Sequence, residues 1–166
     1  LEMGLIGYEG MLGATVALGI NSAPMRAMVQ GSGTALRMTA EKLQQHLQNN
    51  AALASTFNRY LYVLMAQLAQ TAACAHFHAI EPRLARWLLM THDRAHADYF
   101  HLTQEFLANM LGVRRSGITV AAGALQERKL IQYTRGKISI LDRAGLEAVA
   151  CECYEAVTKD YARLFE

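Results

Sequence analysis

The stretch from Leu102 to Ile131, LTQEFLANMLGVRRSGITVAAGALQERKLI, does most to narrow what this chain can fold into, because its apolar residues keep helical spacing on both sides of one break. Phe106, Leu107, Met110 and Leu111 make one apolar face. Thr103 stands where it can cap that helix, and Glu105 falls in the opening turn, where a carboxylate suits the free N–H groups and the dipole. Gly112 then ends the helix, since glycine enters the left-handed conformation freely. After Val113 a second helix begins. Its buried side is Ile118, Ala122 and Leu125, spaced four and three; its opening turn holds Arg114, Arg115 and Ser116; Thr119 and Val120 face outward. Two short helices about a glycine-containing turn, the second opening on arginines, is the helix-turn-helix pattern.

The residues after the second helix extend the pattern. Ile131 and Tyr133, then Ile138 and Ile140, mark two short strand-like runs. Thr134-Arg135-Gly136-Lys137 between them supplies a turn with two cations at its tip, which reads as a β-hairpin wing. Upstream lies Glu81-Pro82-Arg83-Leu84-Ala85-Arg86-Trp87-Leu88-Leu89. With Leu102-Thr103-Gln104-Glu105-Phe106-Leu107-Ala108 and Gly112-Val113-Arg114-Arg115, these residues resemble the Crp/Fnr family of transcription regulators across 79–142, more loosely towards either end. The resemblance implies a homodimer that binds double-stranded DNA, with RNA polymerase as a further partner.

The chain of 166 residues, 52% of them hydrophobic, can bury a core in one ordinary domain or two small ones. Its formal charge of +2 decides little, but Arg114, Arg115, Arg128, Lys129, Arg135, Lys137 and Arg143 crowd the motif and wing, the usual footprint of a phosphate-binding face. No apolar run approaches a membrane span and no signal-peptide pattern opens the chain. Three cysteines give no disulfide framework, so a reduced, cytoplasmic protein is expected. A chain that opens on Leu1 instead of Met is expected to be a fragment or a processed form.

The expected fold is α+β and mainly α, in four parts. Over 1–49, glycines 4, 7, 10, 13, 19, 31 and 33 punctuate short apolar runs, which favours strands and tight turns over helix. The resemblance makes this region a partial sensor domain, a remnant of a cyclic-nucleotide-binding-like β-roll with its early strands missing and apolar surface left to cover. The residues speak against the nucleotide itself: Gly10-Met11-Leu12 lacks the carboxylate that the resemblance expects for the ribose. Pro24-Met25-Arg26 sets Met25 where the phosphate arginine belongs, and a one-residue shift on a strand reverses the face. No cofactor is therefore expected, and an iron–sulfur cluster less still, since three well-separated thiols are too few.

Thr39 to Leu47 reads as a short capped helix. Between Asn50 and Pro82 there is neither Gly nor Pro, and Phe57, Leu61, Leu64, Leu68, Thr71 and Ala75 alternate spacings of four and three as a heptad seam, widened by Tyr60, Val63 and Met65. A symmetric dimer along this seam over 50–78 is the expected use, a buried monomer helix the plainer one, because paired recognition helices must sit about one DNA turn (~34 Å) apart. Leu84, Trp87, Leu88 and Thr91 form the inner face of the supporting helix, while His92, Asp93, Arg94, His96 and Asp98 are expected in a solvated loop. A last helix over 143–166, capped by Asp142, carries the stripe Leu146, Val149, Cys153, Val157, Tyr161 and Leu164. His76 and His78, and likewise Cys151 and Cys153, are two apart and diverge on a helix, so no metal site is expected; Cys74 and the other thiols read as buried.

Within the winged helix-turn-helix of 79–142, Arg115 is placed for bidentate contact to guanine and Arg114 for phosphate. Ser116 and Thr119 can each bond a base edge or the backbone, Val120 can touch a thymine methyl, and Thr103 and Gln104 can grip phosphate at a helix N-terminus. Arg135 and Lys137 on the wing position without specifying. Ser116 and Val120 stand where many relatives carry Glu and a second Arg, so the best-known operator is not assumed. Gly117 either allows close approach to DNA or is a tolerated flaw, each glycine costing about 1 kcal/mol in a helix. No nucleophile–base trio, phosphate loop or paired carboxylates appear, so no enzyme is read. The alternative is a winged-helix module for protein assembly, which steep salt dependence of DNA binding would separate from a regulator.

Overall fold

The computed structural model describes residues 2–23 and 25–165. Two compact units are present, one running from residue 6 to 65, the other joining the residues up to Leu5 with 66–166.

In the larger unit the core is built on α3 (Ile80–Ala95), in which every residue from Arg83 to Thr91 is buried. Around it stand α4 (Gln104–Leu111) and α5 (Arg115–Glu127), then α6 (Arg143–Val149) and α7 (Cys153–Phe165). Leu84, Trp87 and Leu88 meet Leu107, Leu111, Ile118, Leu125 and Leu146 in one apolar cluster. A three-stranded antiparallel sheet closes it, with β3 (Lys137–Ile140) between β1 (Tyr99–His101) and β2 (Ile131–Thr134). The register sets Ile138 opposite both Phe100 and Tyr133, so one face of the sheet is apolar. The hairpin and its turn stand where the alternation places them; β1, only three residues long, carries too little pattern to be read from the chain alone. Glu2 packs here too: its amide donates to Met110 O at 2.8 Å, and its carboxylate accepts from Trp87 Nε1. Burial, the largest cause, pushes the Glu2 carboxyl above its ordinary range, although that bond and Arg86 pull it down.

Two expectations for this unit are corrected. His92, Asp93 and Arg94 are helical, and α3 ends only at Ala95 with His96 left-handed at φ 49° as its cap. Long-range partners account for that: Asp93 pairs with Arg143 at 2.8 Å and accepts from the Tyr154 hydroxyl at 2.9 Å. The last helix is not continuous. Asp142 does cap α6, accepting from the Gly145 amide at 2.9 Å, but Ala150 is extended and the chain turns before α7. The break lets Cys151 and Cys153 both be buried, which two residues two apart on one helix could not do on one side. Gly117 leaves room for Ile80, whose Cδ1 lies 2.5 Å from where a Cβ would stand.

In the smaller unit α1 (Ala40–Asn49) is capped by Thr39, which accepts from the Lys42 amide at 3.4 Å, and Asn50 caps the start of α2 (Ala51–Phe77) through the Leu53 amide at 2.9 Å. The partial β-roll does not form: among the described residues from 6 to 39 there is no strand, only a 3-10 turn at Ala14–Leu18 between left-handed Gly13 and Gly19. Apolar runs cut every few residues by glycine are too short to pair as a sheet, and single strands have no stability alone. Tyr60 instead clasps the Met11 backbone, its hydroxyl 2.9 Å from the amide and 3.2 Å from the carbonyl. Val29 and Leu36 are among many apolar side chains left exposed. Met25 and Arg26 are exposed as well, while Pro24, which precedes them in the expectation about a nucleotide pocket, lies outside the described residues. No helix is long and apolar enough to cross a membrane among the described residues.

Candidate nucleic-acid interface

The geometry begins with caps. Thr103 Oγ1 accepts from the Phe106 amide at 3.1 Å, which starts α4, and Gly112 at φ 66° returns its amide to Ala108 O and stops it. Arg114 is the extended N-cap residue of α5 and Arg115 its first helical residue, so the two side chains stand at the end where free N–H groups and the dipole favour an anion. Arg114, Arg115, Ser116, Thr119 and Val120 are all exposed, although Ile118, Ala121, Ala122 and Leu125 of the same helix are buried. Neither guanidinium is in an ion pair among the described residues.

Gln104 and Thr119 do something the sequence did not suggest. The Thr119 hydroxyl donates to Gln104 Oε1 at 2.9 Å, so the two polar residues tie α4 to α5 across their exposed face. The wing is held just as locally. Arg135 at φ 51° and Gly136 at φ 80° make a two-residue turn with both central residues left-handed, the kind whose twist suits a tight hairpin. Leu102 N donates to Gly136 O at 2.7 Å and the Tyr133 hydroxyl to Leu102 O at 2.7 Å, which binds the hairpin to the start of α4. Burial pushes the Tyr133 phenol up, so it stays protonated and keeps that bond. Arg135 projects from the tip, and Lys137 Nζ sits 4.2 Å over the Tyr99 ring.

Not every cation of the sequence cluster belongs to this face. Arg128 pairs with Glu81 at 3.3 Å. Arg143 is drawn into Asp93 and Glu147, at 2.8 and 2.9 Å, and donates to the Tyr154 hydroxyl at 2.8 Å. It serves packing of α3, α6 and α7. The expected seam of α2 is also divided. Thr71 is 5% exposed and buried in its own chain; Phe57, Leu61, Leu64, Leu68 and Ala75 keep part of their surface, and Met65 stays exposed.

Residues 82–149 match the Crp-like helix-turn-helix domain. Over these residues the chain is similar to a Crp-like helix-turn-helix domain. A candidate transcriptional regulator of the crp/fnr family from Eubacterium rectale superposes with a TM-score of 0.52 at 26% identity, over 66% of this chain and 51% of that one. A CRP-family transcriptional regulator from Thermus thermophilus has the same fold, with a TM-score of 0.50 at 24% identity over 57% of this chain and 51% of its own. The chain thus spans about half the length of the solved structures it matches. No curated protein matches it. The matched residues take in α3 from Pro82 onward, α4, α5, the hairpin and α6, and so every residue placed above at the exposed end of α5 and on the wing.

A second constellation lies at the end of α2. Cys74, His78, Cys151 and Cys153 bring one ligand atom each within 4.8 Å of one another, against the expectation that the thiols are too far apart. Cys74 Sγ is 3.5 Å from Cys151 Sγ, and Cys153 Sγ is 3.4 Å from His78 Nδ1. The contact between the first two sulfurs holds the Cys74 thiol down, to about 5, and pushes the Cys151 thiol up. Cys-x-x-x-His on a helix was the missed signal: residues four apart share a face, whereas His76 and His78 do not.

Proposed function

We propose that this chain acts as a DNA-binding transcription regulator of the Crp/Fnr type, as a homodimer with α5 in the major groove. The observation that carries it is the exposed opening turn of α5: two arginines without ion pairs, one residue apart, on a helix whose opposite side is wholly buried. Arg115 reads guanine, Arg114 and the wing residues Arg135 and Lys137 hold phosphate, and Ser116 and Val120 tune the neighbouring base pairs. Gln104, bridged to Thr119, supports that surface besides reaching phosphate with Thr103. No catalytic role enters this reading, and no effector is assigned.

Selection of bound duplexes from a random library, followed by binding of the selected site at several salt concentrations, tests it. Affinity should fall linearly in log–log form as salt rises. Arg115→Ala should relax preference at one base position by roughly 1–3 kcal/mol, and Lys137→Ala should weaken all sequences alike and lower the salt slope by about one. Failure to enrich any sequence, with both variants binding like the parent, would refute the docking.

A further inference from the structure

We propose that Cys74, His78, Cys151 and Cys153 bind one zinc-class divalent ion, in a Cys3His centre that fastens the end of α2 to the turn between α6 and α7. The size of the cage is the first reason. With metal–sulfur bonds of about 2.3 Å, a tetrahedral ion sets its sulfurs roughly 3.8 Å apart. The Cys74–Cys151 and Cys153–His78 separations, 3.5 and 3.4 Å, are close to that, and the widest separation of 4.8 Å needs only a small contraction. An iron–sulfur cluster carries its own sulfide between the ligands and would need them further apart. With sulfur and imidazole donors and no oxygen donor, the site suits a borderline-soft ion and not magnesium or calcium.

The backbone is shaped for it. The His78 amide bonds Cys74 O at 3.2 Å, so helical geometry persists past the end of α2 and the two side chains share a face. Of the other two ligands, Cys151 lies in the turn that interrupts the last helix and Cys153 is the first residue of α7, so the break lets the two converge.

The surroundings fit as well. His78 Nε2 is 3.0 Å from Glu152 Oε1, which sets the proton on Nε2 and leaves the lone pair of Nδ1 for the thiol side. A ligating histidine characteristically gives its other ring nitrogen to such a carboxylate. Gln70 Nε2 donates to Cys153 Sγ at 2.9 Å, a bond that strengthens when the sulfur is anionic. Three thiolates around a divalent ion leave one net negative charge. The buried Arg86 is a cation whose field reaches Cys74 and opposes that charge.

The test uses the full chain, purified without a histidine tag under reductant and without oxygen. Elemental analysis should find close to one zinc per chain. After chelation, cobalt(II) should bind with the intense visible bands of a tetrahedral site and a thiolate charge-transfer band, and zinc should displace it. Cys153→Ser should abolish the bands. Glu152→Gln, at a side chain 76% exposed and unable to disturb the core, should weaken binding about 10–100-fold, and His76→Ala should leave it unchanged. A reduced chain that gives no tetrahedral cobalt spectrum overturns the proposal. So does a Cys74–Cys151 disulfide in the oxygen-free protein, or a spectrum indifferent to both Cys153→Ser and Glu152→Gln. None of these readouts involves DNA, so the outcome is independent of the regulator reading.

Discussion

A methyl group added at two glycines of the Crp-like domain should have opposite effects. Gly123 lies inside α5 with open space where a Cβ would stand, so Gly123→Ala should stabilise by roughly 0.5–1 kcal/mol through helix propensity alone. At Gly145 the same atom would lie 2.4 Å from Asp142 Oδ2 and 2.5 Å from Leu130 Cδ2, displacing the cap of α6; Gly145→Ala should cost about 1–2 kcal/mol. Urea melts of both variants check the pair. Glu2 offers a test with pH. Its folded carboxyl titrates above the unfolded one because of burial, so the stability that the neutral form contributes is full below the unfolded pKa and is lost as pH rises through the folded pKa. Glu2→Gln keeps an acceptor for Trp87 Nε1 without that loss. It should raise Tm at pH 7 and change it little at pH 4, and a lower Tm at pH 7 would show that the ionised carboxylate is worth having.

At the scale of elements, the hairpin separates folding from binding. Arg135 occupies a left-handed position next to Gly136, a place where asparagine is preferred to arginine. Arg135→Asn should therefore hold or improve thermal stability while weakening DNA binding at all sequences. Loss of both together would mean that the arginine acts through the turn and not on phosphate. The helix pair α4–α5 was legible because each of its signals is local: a threonine cap, a glycine stop, and apolar residues three and four apart. The Gln104–Thr119 bond that braces it joins residues 15 apart, and nothing in either local pattern marks it.

For the whole molecule the proposed dimer is the decisive matter. Leu61, Leu64 and Leu68 keep part of their surface in the single chain, whereas Thr71 is spent on the chain's own interior. Sedimentation should show a dimer, and Leu64→Asp should shift it to monomer and reduce DNA affinity by at least about 10-fold, because one half-site carries only part of the contacts. A parent chain that sediments as a monomer at the concentrations where it binds DNA would remove the symmetric reading.

By itself the sequence determined the winged helix-turn-helix, the caps at Thr39, Thr103 and Asp142, and the left-handed stop at Gly112. All of these arise from hydrogen bonds and side-chain spacing within a few residues. Tertiary structure decided what depends on distant partners. The glycine-cut segment before α1 found no strand to pair with, and β1 became a strand only beside β3. Arg128 and Arg143 were drawn from the basic cluster into ion pairs. The last helix broke before α7, and Cys151 in the break came to lie against Cys74, 77 residues away. A periodic pattern reports which face of a helix is apolar; it carries no information about which remote side chain will arrive there.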